Sequence, residues 1–346
     1  MEADPVYARR ALGAGARGYV LKEAAEAELV DAVRSVVAGR TYLDPSLGAR
    51  LATMAPERSA RLPGLSGGEA QLAVGSHIAG HRIDAVVGRG GQGIVFRATD
   101  RTLDRAVALK LIAPEASNDP VFRTRFEREC RLAAAIDHPH VVEIFHAGEE
   151  NGLLYLTMRY VDGTNLRKLL RNEGRLKPSR AVSIVAQIAS ALDEAHRLEL
   201  VHRDVKPENV LLAQRLGREH AFLTDFGISK RAAEEPLTRT GVALGTVDYT
   251  APEQAEGIDV DARADIYSLG CALFQTLTGA VLFDRDSDLD KLWAHVHDPP
   301  PKLLSVRSDL PPGLEGVLDR ALAKDPDKRQ QSAGELARNA LDALST

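Results

Sequence analysis

The stretch His202-Arg203-Asp204-Val205-Lys206-Pro207-Glu208-Asn209, with Asp225-Phe226-Gly227 downstream, decides how this 346-residue chain reads. Its polar side chains come in a fixed order: a carboxylate able to accept a hydroxyl proton, Asp204; an amide, Asn209; and a second carboxylate, Asp225. Amide and carboxylate oxygens are hard donors of the kind that hold Mg2+ together with phosphate oxygens. Val210–Ala213 and Ala221–Thr224 are strand-like, and the polar run Gln214–His220 between them reads as a turn. A hairpin there brings Asn209 and Asp225 to the same end.

Upstream, Gly88-Arg89-Gly90-Gly91-Gln92-Gly93-Ile94-Val95 spells GxGxxGxV, in which missing side chains let backbone N–H groups approach a polyphosphate. Alone the pattern is weak. A dinucleotide-binding turn carries the same glycines, but it opens a helix and has an acidic residue about 20 positions further on. Here Ile94–Thr99 is β-branched and aromatic, and the next apolar run, Ala106-Val107-Ala108-Leu109-Lys110, ends in a lysine. Two strands bridged by a glycine loop fit this pattern. A lysine closing an apolar run is by default a surface charge. Lys110 gains meaning from Glu129, inside a segment of helical character over Val121–Ile136 that Asp119 introduces as N-cap and Pro120 as first-turn residue. Glu127 is the local competitor as its partner.

These motifs resemble those of bacterial eukaryotic-like (Hanks-type) serine/threonine protein kinases, over roughly residues 80–344. The resemblance extends to Ala251-Pro252-Glu253, Asp265-Ile266-Tyr267-Ser268-Leu269-Gly270 and Asp325-Pro326-Asp327-Lys328-Arg329. It implies an α+β, bilobal fold, with a β-rich small lobe at 80–157, a hinge at 158–163 and a helical large lobe at 164–344. It implies transfer of the ATP γ-phosphoryl group to serine or threonine hydroxyls of protein substrates, with Mg2+ as the metal and Mn2+ as an alternative. In that chemistry the protein supplies mostly positioning and charge neutralisation.

By the same resemblance, Asp204 orients the acceptor hydroxyl, Lys206 contacts the γ-phosphate and Thr246 hydrogen-bonds both. Lys110 and Glu129 pair over the α and β phosphates, and Asn209 and Asp225 hold the metal. Nucleotide contacts are implied for Gly88, Arg89, Gly90, Gly91, Gln92, Gly93, Val95, Ala108, Lys110 and Leu211, and for the backbone at Arg159 and Val161. Arg159 departs from the acidic residue usual in the hinge; since the family's adenine contacts come from backbone, this bears on inhibitor preference more than on ATP. Glu253 and Arg329 are implied to pair, and Asp265 to brace the backbone around Asp204. Thr238 and Thr240 resemble activation-loop phosphothreonines, with Arg203 as the charge partner.

His202 titrates near neutrality and invites a general-base reading, but the adjacent carboxylate has that place and positioning matters more than basicity. His138-Pro139-His140 reads as a turn, and His295 and His297 lack matching ligands. Cys130 and Cys271 fall in helix-like segments and read as core residues, not a disulfide. A formal charge of −5 and a pI near 6.1 give no basic footprint for nucleic acid. The apolar runs fall short of the roughly 20 residues that span a bilayer, and Met1-Glu2-Ala3-Asp4 does not resemble a signal peptide. A cytoplasmic enzyme is the expectation, with a homodimer through the small lobe or the N-terminal segment as an additional one.

Before residue 77 the chain reads as helix (Val6–Leu12), strand (Gly18–Lys22) and a helix carrying Leu29, Val30, Val33, Val36 and Val37, ended by Gly39. Ala14–Lys22 resembles the last third of a response-regulator receiver domain, with Lys22 as the lysine that contacts the phosphorylated aspartate; the aspartate's own strand would precede residue 1. The expectation is a truncated αβα remnant at 1–43 whose strand exposes unpaired edges, then a Pro/Gly-rich linker at 44–79.

Overall fold

The computed structural model describes residues 18–19 and 42–43 by their backbone, and residues 74–90, 93–112, 120–226 and 247–345 in full. The chain divides into two compact units, Met1–Ala60 and Arg61–Thr346. In the first, β1 (Gly18–Tyr19) pairs in parallel with β2 (Tyr42–Leu43). The expected lone strand therefore has a partner. A parallel pair needs a crossover of a dozen residues or more, and residues 20–41 supply it. The predicted helices of this unit and Lys22 lie outside the described residues.

The second unit opens with an antiparallel sheet. Its strands are β3 (His77–Ile78), β4 (His81–Gly90), β5 (Gly93–Asp100), β6 (Arg105–Ile112), β7 (Ile144–Glu150) and β8 (Leu153–Arg159), ordered β3-β4-β5-β6-β8-β7. The segment read as linker to residue 79 thus already contributes a strand, registered His77 to Arg82. α1 (Pro120–Ala134) packs against β7 and buries Phe122, Phe126, Glu129, Cys130 and Ala133, one stripe of the helix. It ends two residues before the predicted Ile136. Met158 and Arg159, expected in the hinge, are the last residues of β8, because Val107 and Ala108 on β6 pair with them.

A second, three-stranded sheet joins β9 (Thr164–Asn165), β10 (Val210–Arg215) and β11 (Arg218–Leu223) in the order β11-β10-β9. The predicted hairpin is present with a narrower turn. Gln214 pairs with Glu219 and Arg215 with Arg218, leaving Leu216 and Gly217, both at positive φ, as the two-residue turn. Polar composition places these ladder residues in a loop, yet Gln214, Arg215 and Arg218 sit exposed at the far end of the hairpin where polar side chains cost nothing, and Glu219 pairs with Arg180.

Helices make the rest: α2 (Leu166–Glu173), α3 (Pro178–Arg197), α4 (Pro252–Glu256), α5 (Ala262–Thr278), α6 (Asp288–His297), α7 (Leu303–Val306), α8 (Gly313–Ala321) and α9 (Ala333–Ala343). Their starts follow the side chains that accept orphan N–H groups: Asn165 from Lys168, Asp261 from Arg263, Ser287 from Asp290 and Ser332 from Glu335. α5 is buried almost all round and packs on α3, α8 and α9, so it is the axis of this core. Arg329 is walled in with it, bonded bidentately to Glu253 at 2.7 and 2.8 Å and donating to the carbonyls of Ala323, Arg263 and Lys324. Cys130 and Cys271 are free and buried, in α1 and α5.

Candidate active site

β4 and β5 meet across residues 90–93, so the glycine run lies at the end of a hairpin. Gly93 is obligatory there. Its φ is +133°, and an added Cβ would sit 1.8 Å from the carbonyl oxygen of Leu111 on the neighbouring strand. Gly88 and Gly90 face open space, room into which a phosphate could come. Gly91 and Gln92 lie outside the described residues. In register with this loop, Lys110 on β6 stands opposite Val95 on β5 and Leu156 on β8.

Lys110 is buried, and its Nζ donates to Asp225 Oδ1 at 2.8 Å. Glu129 is buried on α1 beside Cys130. Burial, then the charge of Glu129, pushes the Cys130 thiol up to about 12, while Lys110 pulls the other way; both charges therefore act at one place. The thiol stays protonated and inert, as a core residue should.

The segment around Asp204 is fixed from behind by Asp265, which is fully buried on α5. Its Oδ1 accepts the Arg203 N–H at 2.7 Å; its Oδ2 accepts the His202 N–H at 2.8 Å and the His196 Nε2–H at 2.7 Å. Arg203 is held at φ 62°, a strained value for a non-glycine residue. Asp204 then meets Lys206 Nζ at 2.7 Å through Oδ2, which also accepts from Asn209 Nδ2 at 3.1 Å. The same Nδ2 donates to the Asp204 carbonyl at 2.8 Å. The Asn209 nitrogen is thus committed to Asp204.

His202 is not a base. Its Nδ1 accepts the Asp204 N–H at 3.2 Å, so the proton is on Nε2, which donates to the Thr224 carbonyl at 3.0 Å. Complete burial holds its pKa below the ordinary value despite the nearby carboxylates of Asp265 and Asp204.

Ala108, Val161 and Leu211 are half-buried against one apolar cluster that also contains Met158. Arg159 directs its charge to Glu143, at 2.8 Å, and its N–H to the Glu143 carbonyl. Tyr160 is covered by the guanidinium of Arg97 at 5.3 Å. Gly163 is required where the chain passes β10, since a Cβ would meet the Leu212 carbonyl oxygen at 2.0 Å. Thr246, Thr238 and Thr240 lie outside the described residues.

Some contacts had no sequence signal: His196 to Asp265, Gln254 Nε2 to the Arg203 carbonyl at 3.0 Å, and Arg167 to Glu208. Each joins residues far apart in the chain. Among the described residues, no group of three or more His, Cys, Asp or Glu side chains could hold a metal by itself. Two protein oxygen donors suit Mg2+, which takes its other ligands from phosphates and water.

A family model described as protein kinase domain matches residues 81–341. The chain belongs to that family. It is 46% identical over 274 residues to serine/threonine-protein kinase PknD of Mycobacterium tuberculosis, covering 79% of this chain and 41% of the relative. It is 43% identical over 279 residues to serine/threonine-protein kinase PknE of the same species, covering 81% of this chain and 49% of the relative. The chain thus spans less than half the length of these curated relatives. The crystal structure of the Mycobacterium tuberculosis PknI kinase domain superposes with a TM-score of 0.65 at 34% identity, covering 78% of this chain and 99% of that one.

Proposed function

We propose that this protein kinase domain transfers the γ-phosphoryl group of ATP to serine and threonine hydroxyls of proteins. The observation that carries the reading is two contact sets from the two sheets and the segment between them, Lys110 with Asp225 at 2.8 Å and Asp204 with Lys206 and Asn209 at 2.7 and 3.1 Å, joined where the Thr224 N–H donates to the Asn209 carbonyl at 3.0 Å. Mg2+ bound with the nucleotide would draw charge from the phosphate oxygens, and Asn209 and Asp225 are the residues that would hold it. Lys110, buried and oriented by Asp225, supplies positive charge beside the phosphates. Asp204, fixed through the backbone by Asp265, accepts the hydrogen bond of the acceptor hydroxyl and its proton as the oxygen attacks. Lys206 lies against Asp204 and neutralises charge on the transferred group. Serine and threonine preference rests on Lys206 and, by resemblance, Thr246.

ATP- and Mg2+-dependent phosphorylation of a serine peptide, measured beside Asp204→Asn and Lys110→Met, tests this. Both variants should fold and both should lose transfer; wild-type activity in either would refute the assignment. Phosphorylation of Thr238 and Thr240, with Arg203 as their charge partner, belongs to the same reading and is checked by mass spectrometry of active enzyme against Thr238→Ala/Thr240→Ala. We further propose that residues 1–43 are receiver-like; the Ala14–Lys22 sequence and the parallel pairing of β1 with β2 support this. That segment carries none of the kinase motifs, so a chain starting at Gly75 should keep its catalytic rate, and a large loss would sink the claim. A homodimer through the N-terminal segment would show in the same comparison as a change of oligomeric state, and one through the small lobe as a dimer that the shortened chain keeps.

A further inference from the structure

At the opposite end of the β10–β11 hairpin from Asn209 and Asp225, the turn is built against its own backbone. Two-residue turns with both residues at positive φ are normally Asn-Gly or Asp-Gly, because a Cβ crowds that conformation. Here Leu216 takes the first place at φ 50°, ahead of Gly217 at φ 74°. Its side chain gains no packing in return, since Leu216 is fully exposed. Arg215 and Arg218 flank the turn as directly opposite partners, both exposed. Water solvates each of them at no cost, but a like-charge pair facing across two strands opposes the pairing. Strain, a bare leucine and two facing cations thus coincide in four consecutive residues, and local rules are broken together in this way at functional sites.

The uncompensated charge around the tip has one sign. Arg180 on α3 donates to Glu219 at 2.9 and 2.7 Å and to Glu173 at 2.7 Å, which neutralises both acids and brings the end of α2 up to the hairpin. Arg171 and Lys177, on either side of Glu173 in sequence, are exposed; neither they nor Arg215 and Arg218 make an ion pair among the described residues. The whole chain carries −5, so the attraction for an anion is local and fades within roughly 8 Å at physiological salt. The shape selects the occupant. Leu216 is the one large apolar side chain exposed on the hairpin, and a single convex residue cannot bury the roughly 800 Å² a side that a stable protein interface takes. A bilayer surface makes no such demand: it takes up one aliphatic side chain while the guanidinium groups beside it stay with the phosphates. Arginine suits that role, because its planar fork donates two hydrogen bonds to one phosphate.

We propose that the turn at 215–218 is a contact site for anionic phospholipid surfaces. Leu216 enters the boundary of the acyl chains, Arg215 and Arg218 hold headgroup phosphates, and Arg171 and Lys177 add to the local positive field. The like-charge pair that opposes the hairpin in water is relieved when both arginines meet phosphate. Since the tip and the phosphoryl-transfer residues lie at opposite ends of β10 and β11, the contact holds the protein at a membrane without covering Asn209 or Asp225. The site stands whether or not the kinase reading does.

The full chain is sedimented with vesicles of phosphatidylcholine alone and of phosphatidylcholine mixed with phosphatidylglycerol. It should pellet with the mixed vesicles, less so at high salt, and not with the neutral ones. Arg215→Ser/Arg218→Ser should lower the partition constant about 25-fold, two surface cations at about fivefold each. Leu216→Asn should lower it about tenfold through the lost apolar contact, and should raise the melting temperature, because asparagine suits both the turn and water. A leucine kept for the fold alone would show the reverse. Transfer to a soluble serine peptide should be unchanged in all three chains. Equal pelleting with both kinds of vesicle overturns the proposal, as does binding to the mixed vesicles that the variants keep, or a Leu216→Asn chain that melts below wild type. Titrations with inorganic phosphate and with duplex RNA test the other phosphate sources. Binding of either that the arginine changes abolish and Leu216→Asn leaves intact assigns the tip to free phosphate or to nucleic acid, and overturns the membrane contact too.

Discussion

Asp265→Asn replaces two carboxylate oxygens by one oxygen and one NH2 group, in a fully buried position where three N–H donors converge. Placing NH2 at the Oδ2 site would face it to two donors, His202 N–H and His196 Nε2–H. The amide therefore turns the other way and opposes the Arg203 N–H. One hydrogen bond to a charged acceptor is lost, about 1.5–3 kcal/mol. The left-handed backbone of Arg203, φ 62°, then loses the contact that holds it, and it stores about 1–2 kcal/mol that relaxation would release. The net stability loss is about 1 kcal/mol, or roughly 2–4 °C in melting temperature for a domain of this size. Activity falls further, because relaxation at Arg203 moves Asp204, and a displacement of about 1 Å costs on the order of a hundredfold. KM for ATP should change little, since Lys110 and the glycine loop belong to the other sheet. Circular-dichroism melts and steady-state kinetics on a serine peptide measure both effects. An Asp265→Asn enzyme with unchanged melting temperature and kcat within about threefold of wild type would refute the claim that Asp265 positions Asp204.

Gly93→Ala should destabilise the small sheet severely, because its Cβ would overlap the Leu111 carbonyl, whereas Gly90→Ala, with open space around it, should fold normally and raise KM for ATP; thermal melts and kinetics separate the two. Arg329→Met strands the buried Glu253 carboxylate and should cost about 3–5 kcal/mol in urea unfolding, while Glu253→Leu/Arg329→Met together should cost less than the single change. Stability should fall in mild acid. Burial lowers His202, His138 and His140 and holds His295 at about 4, so the unfolded chain takes up these protons first; for His295 the contribution is complete above pH 6.5, declines as pH falls toward 4 and is gone below that. His295 alone accounts for about 3 kcal/mol, and urea midpoints between pH 7 and pH 4 should be shallower in pH for His295→Gln.

What the sequence made legible follows from where its information lies. Asp204, Asn209 and Asp225 could be read because their chemistry is in residue type and their geometry in a local hairpin, whose strands pair Val210 with Leu223. Lys110 and the glycine loop were readable for the same reason: adjacent antiparallel strands put neighbours in sequence side by side in space. The turn of the β10–β11 hairpin was drawn too wide because polar residues at an exposed end carry no signal of pairing. β8 runs into the expected hinge because β6, more than forty residues earlier, supplies its partner. The pairing of β1 with β2 escaped notice, since two residues per strand are too few for any alternation to register.

His202, whose reading as a base the sequence already argued against, has a different job in the structure. Histidine beside a carboxylate suggests proton transfer, yet both ring nitrogens are engaged with backbone, one accepting from Asp204 N–H and the other donating to the Thr224 carbonyl. Those two backbone groups flank the two acidic residues of the site, Asp204 and Asp225. The ring therefore acts as a spacer between the segment carrying Asp204 and the strand end carrying Asp225, and Phe226 packs on it at 4.7 Å. Both segments pass through strained residues at their contact with it, Arg203 at φ 62° and Asp225 at φ 57°. Strain of this kind persists only where surrounding bonds over-determine the backbone. A charged imidazolium could not keep the Asp204 bond, because Nδ1 would become a donor facing a donor. The burial that keeps His202 neutral is thus what keeps the two carboxylates at a fixed separation, and an apparent base turns out to be the part whose neutrality the site requires.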